Sequence, residues 1–178
     1  MDWLILIYKI PAEPSRYRAS VWRKIKDIGA IYLQNSVCIV PFNKKTERVF
    51  RKIKNEIENY GGEGYLIKAD FIGPENKIIS LFNDTRDEEY AEIIEKCYDF
   101  FYEIDAETKA EHFTYAELEE NEEDLKKLYN WFEKVRERDY FTSFLQEKTY
   151  QLLAACRACL DDFGEHVFAR EDMKQIDQ

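Results

Sequence analysis

The chain opens with an apolar run, Trp3 to Ile10, rich in β-branched and aromatic residues. Pro11 and Pro14 close it, because a proline lacks the backbone donor that strand pairing needs, and the pattern predicts a central strand. Polar positions then dominate, with Tyr17, Val21, Ile25 and Ile28 at spacings of four, four and three. That is a helical stripe, with Ser15 placed to cap it and Gly29 placed to end it. Ala30 to Phe42 is apolar again, broken at Gln34, Asn35 and Ser36 and closed by Pro41, which fits a hairpin or one long bent strand. From Lys44 to Tyr60 the positions Val49, Ile53, Ile57 and Tyr60 predict a second amphipathic helix, ended by Gly61-Gly62 ahead of a strand from Tyr65 to Ile72. The order β-α-β(β)-α-β predicts an α+β fold: a ferredoxin-like sheet with its helices on one face.

After Gly73-Pro74 the strand patterns stop. Tyr90, Ile94, Cys97, Phe101 and Ile104 repeat at helical spacing, as do Leu118, Leu125, Leu128, Phe132 and Val135, and then Leu145, Leu152, Cys156, Leu160 and Phe163. Narrow seams of this kind bury against one another, so an all-helical extension of about three helices is expected, with loops over 105–114 and 138–143. The two regions, 1–74 and 75–178, are expected to form a single compact unit with the helical part packed on the sheet. No internal repeat is visible.

Composition changes the picture in two respects. Twelve Tyr, twelve Phe and three Trp against six Gly and four Pro in 178 residues exclude a disordered chain and supply a sizeable core. The net charge of −10 argues against uniform, charge-driven nucleic-acid binding. It is unevenly spread, however. Residues 1–77 hold 14 basic and 9 acidic side chains, a balance of +5, and the remainder hold 12 and 27, a balance of −15. A local basic face therefore survives, with an acidic region that faces either it or another partner. Trp3 to Tyr8 is too short for a secretory signal and no run approaches about 18 apolar residues, so a cytoplasmic protein without membrane contact is expected, its four cysteines held as thiols.

Several short motifs resemble a known family. The run Trp3-Leu4-Ile5-Leu6-Ile7-Tyr8-Lys9-Ile10-Pro11, the segment Val21-Trp22-Arg23-Lys24-Ile25-Lys26 with Gly29, and Leu33-Gln34-Asn35-Ser36-Val37 look like the N-terminal domain of ChrB-type chromate resistance proteins. So do Tyr129-Asn130-Trp131-Phe132, Arg136-Glu137-Arg138-Asp139-Tyr140-Phe141 and the stretch from Phe163 to Phe168. The motifs occur in order across most of the chain. The resemblance implies a non-enzymatic, cytoplasmic, dimeric protein with a role in chromate resistance, its transcriptional regulation or an anion response, and it calls for no cofactor. In that family the domain precedes a second one that these residues do not include, so a separate protein resembling that second domain is an expected partner beside a second copy of the chain. More distantly, the front portion is similar to the small ferredoxin-like subunit of CRISPR integration complexes and to the C-terminal part of phenylacetate-pathway repressors. In the CRISPR subunit the first strand ends in an aspartate proposed to bind a metal. Lys9 stands at that place here, and a cation repels a divalent metal, which disfavours a metal-dependent nuclease.

Five side chains stand out as an anion- or nucleic-acid-binding set: Lys9, Arg16, Arg18, Arg23 and Lys24, extended by Lys26. Guanidinium forks clamp phosphate or chromate in bidentate fashion. The competing reading is a solvated helix face or ion pairs with the acidic helices. Trp131, Arg136, Arg138 and Asp139 form a second candidate site, or an internal ion pair that fixes a turn. Cys156-Arg157-Ala158-Cys159 has redox spacing, and a thiol-redox enzyme is the enzymatic alternative, although two seam thiols packed in a core are the expectation. One such pair with only His112 and His166 does not make a structural zinc site, so no metal site is expected. The acidic run Glu117 to Asp124 lacks the pattern of a calcium loop and reads as a solvated helix start. Nothing places a base beside a nucleophile, so no catalytic residue is assigned. Gln34 and Ser36 are expected to bond the turn backbone or, by the resemblance, to line an edge used for dimerisation.

Overall fold

Alternation along the first strand decides how the sheet is covered. In β1 (Trp3–Lys9) Leu4 and Leu6 point to one face and Trp3 and Ile5 to the other, with Trp3, Leu4 and Leu6 all buried. A computed structural model describes residues 1–176, with side chains as far as Met173. Here β1 lies inside a four-stranded antiparallel sheet of order β2-β3-β1-β4, where β2 is Ile31–Gln34, β3 is Val37–Pro41 and β4 is Glu63–Ala69. This is the ferredoxin-like order, and the break at Asn35-Ser36 is a hairpin turn with Ser36 in the left-handed region, φ 61°. The fourth strand starts two residues earlier than the apolar pattern suggests and stops three earlier. Its length is set by its partner: Glu63 lies opposite Lys9 and Ala69 opposite Trp3, so β1 offers nothing to residues 70–72. Gly62 ahead of it is required by close approach, since a Cβ there would lie 2.3 Å from the Lys9 carbonyl oxygen.

Helices α1 (Ser15–Asp27) and α2 (Lys44–Asn59) cover the Leu4 and Leu6 face. Val21 and Ile25 from α1 and Phe50, Ile53 and Ile57 from α2 are buried with Cys38 and Val40, each large apolar side chain contributing roughly 1.5–3 kcal/mol. The start of α2 is a capping box, with Asn43 Oδ1 accepting from the Thr46 amide at 2.9 Å and Thr46 Oγ1 accepting from the Asn43 amide at 2.9 Å. The start of α1 differs from expectation. Pro14 occupies the cap and Ser15 is already the first helical residue, so its hydroxyl makes no capping bond. The second sheet face is also covered, at its Trp3 end. Trp3, Ile31 and Ile39 are buried with Phe82, and Ile78, Ile79, Phe71 and Phe141 pack around them.

Phe82 belongs to α3 (Glu75–Lys109), which begins 15 residues before the apolar seam at Tyr90 and continues past Asp105, where a loop is expected. Ile104 is buried in that stretch and Lys109 pairs with Asp105 at 2.6 Å, one turn apart, which carries the helix on to Lys109. The chain divides into two units: residues 1–85 with 138–141, and residues 86–137 with the chain from Thr142 onward. The second unit contains the rest of α3 with α4 (Tyr115–Arg136) and α5 (Leu145–Ile176). Tyr90, Ile93, Cys97, Phe100, Leu125, Phe132, Leu153, Cys156, Leu160 and Phe163 form its core. Thr114 caps α4 by accepting from the Glu117 amide. Among the described residues no helix is long and apolar enough to cross a membrane.

Candidate anion-binding site

The side chains of α1 separate into a buried stripe and an outer face. Val21, Ile25 and Ile28 are buried, and the Tyr17 ring stacks on Tyr60 at 3.9 Å with 2° between the planes, fixing the first turn of α1 near the end of α2. Helical geometry then presents Arg18, Trp22 and Lys26 outward in one i, i+4, i+8 row, with Arg16 and Arg23 seven residues apart beside it. All four cations are exposed, and among the described residues none of them forms an ion pair. Arg16 lies over the Tyr17 ring at 5.4 Å, Lys26 over the Trp22 ring at 5.3 Å, and Arg23 donates to the Ala19 carbonyl at 3.3 Å. Lys24 is different, because its ammonium meets the Glu56 carboxylate on α2 and its charge is locally offset. Lys9 is exposed at the end of β1. The structure thus gathers Arg16, Arg18 and Arg23 on one outer face with Lys26, while Lys24 turns to α2.

Beside this face lies a cleft of about 410 Å³ lined by Tyr8, Ile10, Arg18, Trp22, Tyr32, Asn35 and Ser36. The Tyr8 and Tyr32 hydroxyls are 2.9 Å apart and hydrogen-bonded, and partial burial pushes both phenols above their ordinary range. Both therefore stay neutral at physiological pH, one donating to the other and the second left with its proton for a ligand. The cleft offers one guanidinium, hydroxyl and amide donors and an indole face, a combination suited to a small oxyanion or a phosphate. Its aromatic members carry no charge motif of their own, and the signals that place them are the alternation in β1, which puts Tyr8 on the Leu4 and Leu6 face, and the position of Trp22 four residues after Arg18.

The second candidate set is divided between the units. Trp131 and Arg136 belong to the helical one, where Trp131 packs on the core and Arg136 pairs with Glu133 at 2.6 Å over the Phe132 ring. Arg138 and Asp139 belong to the sheet unit, where Asp139 Oδ1 accepts from the Phe141 amide at 3.4 Å. Of the Cys156 and Cys159 pair, Cys156 is fully buried and Cys159 is partly exposed. Cys156 instead donates its thiol to the backbone carbonyl of Cys97, on α3, at 3.8 Å. Two further polar groups are buried with no local pattern to mark them: Arg86, 2% exposed and 3.1 Å from Glu89, and Asn121, which donates to Glu107 at 2.9 Å.

A family model described as "Protein ChrB, N-terminal" matches residues 18–174. No curated protein and no solved structure shows a significant match to the chain.

Proposed function

Given that the chain belongs to the ChrB N-terminal family, a chromate-resistance-associated family, we propose that it is a non-enzymatic regulatory protein that docks on the phosphate backbone of DNA through the outer face of α1. One observation carries this reading. Arg16, Arg18, Arg23 and Lys26 stand exposed on one rigid helix without carboxylate partners among the described residues, while the neighbouring Lys24 is offset by Glu56. Unpaired cations on a packed helix bind phosphate with little rotamer entropy left to lose beyond their own side chains, and each contact releases a condensed counterion. The net charge of −10 then works against uniform binding and confines contact to this face.

Fluorescence anisotropy with a labelled short duplex at low salt tests the reading. Wild-type protein binds, and Arg16→Ala combined with Arg18→Ala and Arg23→Ala weakens binding by about tenfold or more. Lys24→Ala has a much smaller effect. Unchanged affinity in the triple variant sinks the proposal.

The cleft supports a second reading for a small oxyanion such as chromate, held by Arg18 with the Tyr8 and Tyr32 hydroxyls. Chromate would then compete with duplex for Arg18. Equilibrium dialysis with chromate and with sulfate, on wild type and Arg18→Ala, decides it: equal uptake by both proteins removes this reading and leaves the first intact.

A further inference from the structure

We propose that Cys97 and Cys156 form an intramolecular disulfide under a two-electron oxidant such as a peroxide, tying α3 to α5 within the helical unit. The two residues are 59 positions apart in sequence, yet the buried Cys156 thiol donates to the Cys97 carbonyl oxygen at 3.8 Å, which sets the sulfur of α5 against the Cys97 residue of α3. Both are fully buried among Ile93, Phe100, Leu153 and Leu160. Burial alone calls only for two small apolar side chains at these positions. It does not require that the sulfur on one helix sit against the cysteine of another. Cys159, one turn along α5, is the partner suggested by sequence spacing, but it is partly exposed, and the hydrogen bond to the Cys97 carbonyl comes from Cys156.

The chemistry balances with no other group. One thiol sulfur attacks the peroxide, the O–O bond breaks, water leaves and a sulfenic acid forms. The second thiol then attacks that sulfur, the S–O bond breaks, and the S–S bond forms with loss of a second water. Two electrons pass from the pair of sulfurs to the peroxide. Burial slows the first step, because it disfavours the thiolate that must attack: contact with Cys97 and burial both push the Cys156 thiol up. The resulting bridge closes a long loop and removes freedom from the unfolded chain.

Tryptic mapping resolves the alternatives, because Arg157 separates Cys156 from Cys159. The full chain is oxidised with hydrogen peroxide, free thiols are blocked with N-ethylmaleimide, and the digest is analysed without reduction. The expected product links peptide 97–109 to peptide 149–157. It persists in Cys159→Ser and disappears in Cys97→Ala and in Cys156→Ala. The oxidised protein melts about 5 °C or more above the reduced one, and dithiothreitol reverses the rise. Linkage of 149–157 or 97–109 to peptide 158–170 overturns the proposal, as does recovery of all four cysteines as thiols after an exposure that fully oxidises a control peptide. Should either core variant fail to fold by circular dichroism, the wild-type and Cys159→Ser maps decide the matter by themselves.

Discussion

The Lys26 ammonium sits 5.3 Å from the centre of the Trp22 indole, on the outer face of α1. Trp22 is half exposed, whereas Trp3 is fully buried and Trp131 partly so. An indole beside a phosphate-binding cation is a built-in reporter, since neutralising that cation changes its surroundings. Added duplex is expected to change the emission of wild-type protein, and Trp22→Phe should abolish most of that change while leaving affinity within about threefold. A full response in Trp22→Phe would place the contact elsewhere.

Phe82 stacks on Trp3 with ring centroids 5.7 Å apart and 28° between the planes, covering the second face of the sheet. Phe82→Ala removes a fully buried aromatic ring, and urea denaturation should show a loss of about 3–5 kcal/mol. The emission of Trp3 should move to the red in the folded variant. A loss below about 1 kcal/mol would mean that this face is not a packed core.

The two helix starts of the sheet unit make opposite predictions. Asn43→Ala deletes the capping box of α2 and should cost about 1 kcal/mol. Ser15→Ala should stay within about 0.5 kcal/mol, because Pro14 holds the cap of α1 and the Ser15 hydroxyl makes no capping bond. Chemical denaturation of the two variants against wild type measures both.

Glu107 gives the helical unit a pH dependence. Burial lifts its carboxyl to about 7, against the opposing hydrogen bond from Asn121, and the neighbouring Glu117 adds to the rise. Between about 4.5 and 7 the folded chain keeps a proton that the unfolded chain has released, so stability falls as pH rises through that window and levels off above it. Partial exposure of Glu107 holds the effect to about 1–2 kcal/mol. Glu107→Gln keeps an acceptor for Asn121, and the slope of melting temperature against pH in this window should flatten. A variant as pH-dependent as wild type contradicts the assignment.

Much of the fold was legible because burial alternates where the chain alternates. Leu4 and Leu6 against Trp3 and Ile5, and Val21 with Ile25, are local patterns that name their own faces. The start of α3 was hidden for a physical reason. Its inward seam runs from the partly buried Ile78 through the buried Phe82, Arg86, Tyr90, Ile93 and Cys97 at spacings of four and three, but Arg86 reads as a solvent residue and breaks the periodicity where it is in fact buried. For the candidate site, the cluster of cations was visible, but its membership was not. Whether Lys24 is available depends on Glu56, 32 residues away, and the partner of Cys156 is 59 residues away. Contacts at such separations leave no local period to read.

Salt dependence tests the central claim most directly. With Arg16, Arg18, Arg23 and Lys26 on phosphates, the logarithm of the duplex association constant should fall with the logarithm of salt concentration at a slope of about −3 to −4. Each single arginine-to-alanine change should make that slope shallower by about one. Absence of duplex binding at low salt, or a slope that these variants leave unchanged, would contradict the assignment of the α1 face as a phosphate-binding surface.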